Sequence, residues 1–253
     1  MPRAEAPALQ ATAALVFLAS AAGTIVWCGS MSAMPGMEMP GGWTMSMAWM
    51  RMPGQTWVQS GATFIGMWSL MMLAMMLPAA MPLFRRYRRA MRHAPRRDAL
   101  TAAVAASYFA VWSLVGVAVF PAGVAFAELA MTLPALSRLT PYLAATVVVL
   151  AGALQFTAWK ARRLECCAGG SDSRIRPGFA AAWRHGVQLG LRCNYCCASL
   201  TAILLVIGVM DLRAMAVVMT AISAERLLPA SRFWARVFGA LAMVAGSVMW
   251  VLA

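Results

Sequence analysis

The sequence predicts an all-α protein, a polytopic transmembrane helix bundle of about seven spans with a cytoplasmic N-terminus. Hydrophobic residues make up 62% of the chain and charged residues 11%, whereas soluble domains have about 45–50% and 25%. Several stretches of about 18 or more residues carry almost no charge, which is enough to cross a bilayer as a helix. The alternation and regular turn spacing of a transmembrane barrel are absent.

The predicted spans follow the uncharged stretches in order. They cover roughly Ala8–Trp27, Gly61–Leu83, Leu100–Phe120, Tyr142–Trp159, Cys193–Met210, Ala214–Leu228 and Phe238–Leu252. The first span has the alternative of a cleaved signal peptide with small residues at Ala19–Ala22. Retention is favoured because Arg3 is the only basic residue before it and Trp27 fits an interfacial anchor. The sixth span is short and ends at Glu225 and Arg226.

The positive charge of the chain, +13 in total, is concentrated in two segments between spans. Residues 84–99 contain seven arginines, and residues 160–185 contain six basic residues. Basic loops stay on the cytoplasmic side, so we predict one multi-pass domain over residues 1–253 in the bacterial inner membrane. A basic run also occurs in nucleic-acid-binding proteins. Between two spans it indicates orientation and contact with lipid head groups instead, so no nucleic-acid partner is expected.

Methionines are concentrated in the predicted outer loop, residues 31–60. A thioether is a soft, uncharged donor that selects Cu(I) over harder ions. The loop has no histidine, which argues against Zn(II) and Cu(II). Its Gly, Pro and Ser content predicts irregular structure, and the alternative is an apolar loop folded over the helix ends. The candidate ligands are Met31, Met34, Met37, Met39, Met45, Met47, Met50 and Met52.

The second span repeats the methionine pattern at helical spacing. Met67, Met71 and Met75 stack on one face with a rise of about 6 Å per step, and Met72 and Met76 form a neighbouring stripe. Such a ladder would pass a soft monovalent cation through hydrocarbon, each site being weak enough to release it. The alternative is that these flexible side chains fill an apolar core.

Five of the six cysteines fall in two groups near the predicted cytoplasmic face, where thiols stay reduced. The groups are Cys166 with Cys167, and Cys193 with Cys196 and Cys197. In a helix Cys193 shares a face with the other two, and Arg192 and Lys160 would favour thiolates by charge. The alternative is packing as small apolar residues. Cys28 stands apart and is given no role.

Two polar residues lie at the ends of predicted spans. An amide near a membrane helix end usually bridges helices, which is the interpretation favoured for Gln155. Glu225 follows an apolar run, and a charged residue at membrane depth is a functional hypothesis by default. An interfacial ion pair with Arg226 is the preferred explanation. Residues 178–192 are expected to lie along the interface as a helix leading into the fifth span.

These residues resemble the motifs of a bacterial family of predicted metal-binding integral membrane proteins. The first motif matches Trp68, Met71, Ala74, Met75, Met76 and Pro78; the second Gln155, Phe156, Lys160 and either Cys166 or Cys167; the third Gly186, Gly190, Cys193, Cys196 and Cys197, continuing through Met210 to Glu225. Departures are Ala158, where a proline is expected, and Glu165 beside the cysteine pair. The resemblance implies metal binding without a defined activity, and copper is inferred from the methionines.

The combined prediction is a Cu(I)-binding membrane protein and not an enzyme. Copper would be captured outside by the loop, conducted by the ladder and held by the thiols, or exported by the same parts in reverse. Expected partners are the lipid bilayer and a periplasmic copper chaperone or copper-dependent membrane enzyme. The alternatives are a thiol-redox protein that exchanges disulfides at Cys193 and Cys196 with a quinone, a structural subunit, and a mercury carrier.

Overall fold

A computed structural model describes residues 6–32, 36–51, 54–168 and 177–253. Within these ranges the chain forms eight α-helices and one two-stranded antiparallel sheet. The helices are α1 (Ala6–Ser32), α2 (Trp57–Ala90), α3 (Arg97–Thr132), α4 (Pro134–Leu154), α5 (Ala158–Ala168), α6 (Phe179–Ile207), α7 (Leu212–Leu227) and α8 (Ser231–Leu252), and the strands are β1 (Met37–Met39) and β2 (Trp43–Met45). The predicted all-α bundle is confirmed.

Six of the described helices, namely α1 to α4, α6 and α8, are long and apolar enough to cross a membrane. The sixth predicted span corresponds to α7, which has 16 residues and a length of about 24 Å, less than the thickness of the hydrocarbon core. The fifth predicted span begins too late, because α6 starts at Phe179. The expected interfacial helix over residues 178–192 is therefore the first half of one continuous helix.

The predicted loops are also shorter than the sequence indicates. Helix α2 continues to Ala90, and α3 begins at Arg97, so most of the arginine-rich segment is helical. Arg88 near the end of α2 pairs with Asp98 at the start of α3, at 2.8 Å between Nε and Oδ1. The 160–185 segment likewise includes most of α5 and the start of α6. Polar arginine side chains are compatible with helix ends outside the apolar core.

Helix α2 lies at the centre of the bundle. In its most apolar stretch 61% of the residues are buried, compared with 17% in α1, α3 and α8. It packs against α1, α3 and α7. Thr56 begins it with a capping box, in which the Thr56 hydroxyl accepts from the Gln59 amide and the Gln59 side chain accepts from the Thr56 amide. This central position makes the side chains of α2 the core of the protein.

Glycines allow α3 and α6 to approach closely. A Cβ added at Gly186 would lie 1.9 Å from Ser107 Oγ and 2.3 Å from the Val104 carbonyl oxygen. One helical turn further, a Cβ at Gly190 would lie 3.0 Å from the Tyr108 carbonyl oxygen. Small residues at a helix interface let two backbones come together. This contact brings the next turn of α6, which carries Cys193, beside Tyr108.

The methionine loop is more ordered than its composition predicts. Strands β1 and β2 form a hairpin in which Met37 pairs with Met45, and Gly41 and Gly42 form the turn at φ values of 108° and 75°. The hairpin rests on the start of α4, where Trp43 Nε1 donates to the Ser137 carbonyl at 2.9 Å and Ser137 Oγ donates to the Pro40 carbonyl at 2.7 Å. Anchoring to α4 replaces the expected irregular loop.

Candidate metal centre

The two methionine stripes of α2 face the interior of the bundle. Each of their five side chains is at most 3% exposed, and all belong to one continuous cluster of buried residues that also contains Cys193, Cys196 and Cys197. The stripes consist of Met67, Met71 and Met75, and of Met72 and Met76. These five thioethers thus face other protein side chains in the interior.

The first stripe leads to helix α7. One and two turns beyond Met75, the same face of α2 carries Ala79 and Leu83, which line a cavity together with Glu225 and Arg226. Arg226 extends from this cavity to the α6 cysteines, where its Nη1 donates to Cys193 Sγ at 2.7 Å. The face of α2 that carries this stripe therefore adjoins Arg226, a side chain in direct contact with a thiol.

The second stripe leads to the same thiol through helix α3. Beyond Met76 it continues with Ala80 and Phe84, which are also buried. The Phe84 ring packs edge-on against Tyr108, with ring centroids 5.7 Å apart and planes at 90°. Tyr108 Oη then donates to Cys193 Sγ at 2.9 Å. Both faces of α2 consequently continue, beyond the methionines, to apolar side chains that adjoin the two donors to Cys193.

Cys193 and Cys197 form a close pair of thiols in α6. Their sulfurs lie 3.9 Å apart on adjacent turns of α6, and both side chains are buried. An ion about 2.3 Å from each sulfur would make a sulfur–metal–sulfur angle of about 116° at this separation, between the tetrahedral and trigonal values. The pair therefore fits a soft metal ion without movement of the helix.

Cys196 is 1% exposed and lies on the same helix. No group of three or more His, Cys, Asp and Glu side chains in the described parts of the chain is arranged to hold a metal. The side chains of Cys166 and Cys167 lie outside the described residues, and the structure places only their backbone, near the end of α5. The continuous cluster of buried residues that holds the Cys193–Cys197 pair also contains Cys196 and the five α2 methionines.

A buried ion pair lies beside the cysteines. Lys160 Nζ is 2.8 Å from Glu225 Oε2, and the two side chains are 1% and 2% exposed. Lys160 Nζ also donates to the Cys196 carbonyl at 2.8 Å, and Gln155 Nε2 donates to Glu225 Oε1 at 3.0 Å. These bonds join the end of α4 and the start of α5 to α6 and α7. Gln155 therefore bridges the end of α4 to α7, as the sequence predicts.

The structure assigns the charges differently from the sequence prediction. Glu225 pairs with Lys160, which is 65 residues away in the chain, and not with its neighbour Arg226. Arg226, which the prediction did not include, bonds a thiol, whereas Lys160 bonds a carboxylate and a carbonyl. Successive residues of a helix point about 100° apart, so Glu225 and Arg226 extend to different neighbours.

The loop methionines are divided between the interior and the surface. Met39 and Met45 are buried against Ala127 and Ala130 of α3, as the alternative of an apolar loop on the helix ends requires. Met37 is 41% exposed. Met31, Met47 and Met50 are half-buried. Met34 and Met52 lie outside the described residues.

Three residues near the sulfur clusters were not predicted as part of the site from the sequence: Cys28, Tyr108 and Arg226. Cys28 Sγ lies 4.0 Å from Met210 Sδ, which joins α1 to the turn between α6 and α7. This part of α1 runs beside the turn of α2 that precedes Met67, because a Cβ on Gly66 would contact Trp27 at 3.8 Å. Tyr108 and Arg226 lie 85 and 33 residues from Cys193. No local motif in the sequence links such distant positions.

Comparison with known protein families gives a match over most of the chain. The model of the PpoB2 family, described as copper chaperone, matches residues 65–249, which include both methionine stripes, the α6 cysteines and Arg226. No curated protein and no solved structure matches the chain. The match covers well over half of the chain and agrees with the copper prediction at the level of the family. The chain belongs to the PpoB2 family of copper chaperones.

Proposed function

We propose that this protein carries Cu(I) within a membrane, using the α2 thioethers as exchange sites and the Cys193–Cys197 pair as the holding site. One observation carries the proposal: the two faces of α2 that bear the buried methionines continue to residues that adjoin Arg226 and Tyr108, the two donors to Cys193. Soft sulfur donors select Cu(I). Uncharged thioethers bind it weakly enough to pass it on, and thiolates hold it more tightly.

The path would begin at the hairpin end of the bundle. There Met37 is exposed, and Cys28 with Met210 provides a sulfur pair close to the separation of Cys193 and Cys197. The stripe from Met67 to Met76 covers about 14 Å along α2. It connects this end to the thiols, which lie 10 to 14 residues, about 15–21 Å, before the end of α6.

The orientation we propose places the hairpin outside the bacterial inner membrane and the arginine-rich end in the cytoplasm. A periplasmic copper chaperone or a copper-dependent membrane enzyme would then exchange Cu(I) with the hairpin end. The ligands do not set the direction of Cu(I) transfer, because thioethers and thiolates can exchange the ion in either direction. The protein acts as a carrier, with no chemical step on the ion other than ligand exchange.

The test replaces the first-stripe residues Met71 and Met75 and the second-stripe residue Met76 by leucine. Such substitutions keep the volume and cost less than about 1.5 kcal/mol each, so the fold should survive. We expect the purified triple variant to bind and release Cu(I) more slowly and its host cells to show altered copper content. The matched control replaces three methionines outside both stripes by leucine, namely Met131, Met243 and Met249.

Cu(I) binding is measured by competition with a colorimetric chelator, and cellular copper by elemental analysis at equal protein levels. The control triple variant should behave like the parent protein. Unchanged Cu(I) binding, exchange rate and cellular copper in the stripe variant would remove the α2 path from the proposal.

A further inference from the structure

We propose that a cavity between α4, α5 and α8 binds one anionic phospholipid at the arginine-rich end of the bundle. The cavity, called the arginine pocket below, has a volume of about 370 Å³ and is lined by Arg162, Arg232 and Arg236. This volume lies within the usual range of ligand sites. The inference rests on the membrane position proposed above and is independent of the copper path.

The pocket arises where α4 ends and α5 begins. Helices α4 and α8 approach closely just before this point, since a Cβ on Gly239 would lie 2.9 Å from the Gly152 carbonyl oxygen. Helix α4 then ends at Leu154 and α5 begins at Ala158. The connecting residues 155–157, the first two turns of α5 and the start of α8 form the walls of the pocket.

The walls combine apolar and cationic side chains. The apolar contributions come from Phe156, Ala161, Leu164 and Ala235. An apolar wall gains free energy by covering hydrocarbon, whereas it offers nothing to a free phosphate ion. A ligand that fits both kinds of wall carries an anionic group and an apolar part on one molecule, as a phospholipid does.

The arginines supply the donors for the phosphate. A guanidinium binds phosphate oxygens with two parallel hydrogen bonds and stays charged. Arg162 Nε donates to the Ala158 carbonyl of its own helix at 3.3 Å. Arg232 bonds Glu165, and both side chains of this pair are exposed. The phosphate is therefore expected to share Arg232 with Glu165.

The pocket adjoins a surface suited to acyl chains. Leu150 and Leu154 of α4 and Phe233 and Leu241 of α8 are each at least 46% exposed. Trp159 at the start of α5 is also exposed, and tryptophan is typical of the level where lipid head groups begin. Basic pockets between membrane helices on the cytoplasmic side bind anionic head groups. A lipid covering this surface would have its phosphate at the arginine pocket.

The bound lipid should strengthen the contact of α5 with its neighbours. Gln155, which lines the pocket, donates to Glu225, and Glu225 pairs with Lys160 of α5. A ligand that binds the folded protein and not the unfolded chain stabilises the fold by mass action. Phosphatidylglycerol should therefore raise the melting temperature of the protein, whereas phosphatidylcholine should not.

The experiment measures lipid binding to the full chain in a non-ionic detergent by native mass spectrometry. Dioleoyl phosphatidylglycerol is compared with dioleoyl phosphatidylcholine, which has the same chains and no net charge. The pocket variant is Arg162→Gln with Arg236→Gln, which leaves the Arg232–Glu165 pair in place. The control variant is Arg89→Gln with Arg92→Gln, which removes two exposed charges outside the pocket.

The control charges lie at the same end of the bundle as the pocket. Arg86, one turn before Arg89 in α2, lines a second cavity together with Leu164 of α5 and Ser231 of α8. Total charge and its distribution between the two ends are therefore matched in the two double variants. A difference between them reports the pocket itself.

We expect the parent protein to bind its first phosphatidylglycerol at least about tenfold more tightly than phosphatidylcholine. In the pocket variant this affinity should fall by about 30-fold, because each basic residue near an anionic lipid contributes about fivefold. In the control variant the first lipid should bind within about threefold of the parent affinity. The increase in melting temperature should disappear in the pocket variant alone.

Equal affinity of the parent for the two lipids overturns the inference. A fall of less than about threefold in the pocket variant, or an equal fall in both double variants, also overturns it, because the lipid is then attracted by overall charge. If the pocket double variant does not fold, Arg236→Gln is compared with Arg89→Gln, and the expected fall is about fivefold in the first only.

Inorganic phosphate in large excess identifies the source of the anionic group. Retention of phosphatidylglycerol in its presence supports a lipid, and displacement by inorganic phosphate overturns the lipid assignment. The result is separate from the proposed function, because failure of the copper path in the methionine variants leaves these lipid affinities unchanged.

Discussion

Cys193 is bonded by side chains from two other helices, α3 and α7. Its sulfur accepts from Arg226 and Tyr108 and lies 3.9 Å from Cys197. Two donors aimed at one buried sulfur stabilise its charged form, as charge-assisted hydrogen bonds do. A thiolate is the form that binds metal. The environment of Cys193 is therefore suited to a ligand and exceeds what packing alone requires.

The first prediction concerns this thiol and its partner. Cys193→Ala and Cys197→Ala should each lower the number of tightly bound Cu(I) ions by one, because both sulfurs are needed to hold one ion. Cys28→Ala should leave the tight site intact, since Cys28 contacts a thioether near the other end of the bundle. Competition titration of the purified proteins measures the stoichiometry. Equal loss in all three variants would contradict the distinction between the two sites.

The second residue-scale prediction concerns Lys160 and Glu225. Lys160→Met leaves Glu225 buried without its partner, which typically costs about 3–5 kcal/mol of unfolding free energy. Adding Glu225→Gln removes the remaining charge and should restore most of the stability. Denaturant titration in detergent compares these variants with Glu165→Gln, which breaks an exposed pair with Arg232 and should change stability by about 0–1 kcal/mol. A Lys160→Met protein as stable as this control would show that the pair is not structural.

At the scale of elements, α2 forms the core of the bundle and carries the methionines that we propose as ligands. Their flexible, polarizable side chains suit both tasks. Its position explains why packing and metal binding cannot be separated by burial alone. Substitution with leucine, which preserves volume, is needed for that.

The contact between α3 and α6 gives the third prediction. Gly186→Ala would place a Cβ 1.9 Å from Ser107 Oγ and 2.3 Å from a carbonyl oxygen, so the two helices must move apart. The protein should become less stable by about 1–3 kcal/mol, and its Cu(I) affinity should fall because Tyr108 withdraws from Cys193. The control is Gly29→Ala in α1, where no atom lies within 4 Å of the new Cβ. Full retention of stability in Gly186→Ala would contradict the close packing.

The hairpin illustrates the limit of composition as a guide to loops. Gly, Pro and Ser in the loop predict irregular structure, yet the chain pairs Met37 with Met45 and fixes Trp43 to Ser137. The partner Ser137 is 94 residues further along the chain. Its position at the start of α4 could not be foreseen before α3 and α4 were placed.

For the whole molecule, the orientation in the membrane gives the fourth prediction. With the hairpin outside, a Met37→Cys variant should react with a membrane-impermeant thiol reagent in intact cells, because residue 37 is exposed. An Arg89→Cys variant at the opposite end should react only after the cells are permeabilised. Mass spectrometry of the labelled protein distinguishes the two. Labelling of residue 89 alone in intact cells would reverse the proposed orientation.

The native thiols serve as an internal control in the same experiment. Cys28, Cys193, Cys196 and Cys197 are buried and should remain unlabelled under both conditions. Rapid labelling of Cys193 and Cys196 from outside would support the alternative of a thiol-redox protein, since disulfide exchange requires access to a thiol.

Much of the fold follows from local pattern. The six long helices coincide with uncharged stretches of the sequence. The i, i+4 spacing predicts that Met67, Met71 and Met75 share one face. Both signals depend only on neighbours within a few turns. Helix ends were less predictable. The first half of α6 carries Arg184 and Arg192. Because the predicted span was defined by its apolar residues, it excluded this polar part of the same helix.

The helical class of the protein and its supply of soft donors follow from the residues alone, since the uncharged stretches predict helices apolar enough to cross a membrane and the sulfurs are set by residue type. Which groups meet is visible only in the packed bundle: Arg226 and Tyr108 at Cys193, and Lys160 at Glu225. The reason is physical. Helical periodicity is a property of neighbouring residues, whereas these contacts join positions 33 to 85 residues apart and exist only once the helices have packed.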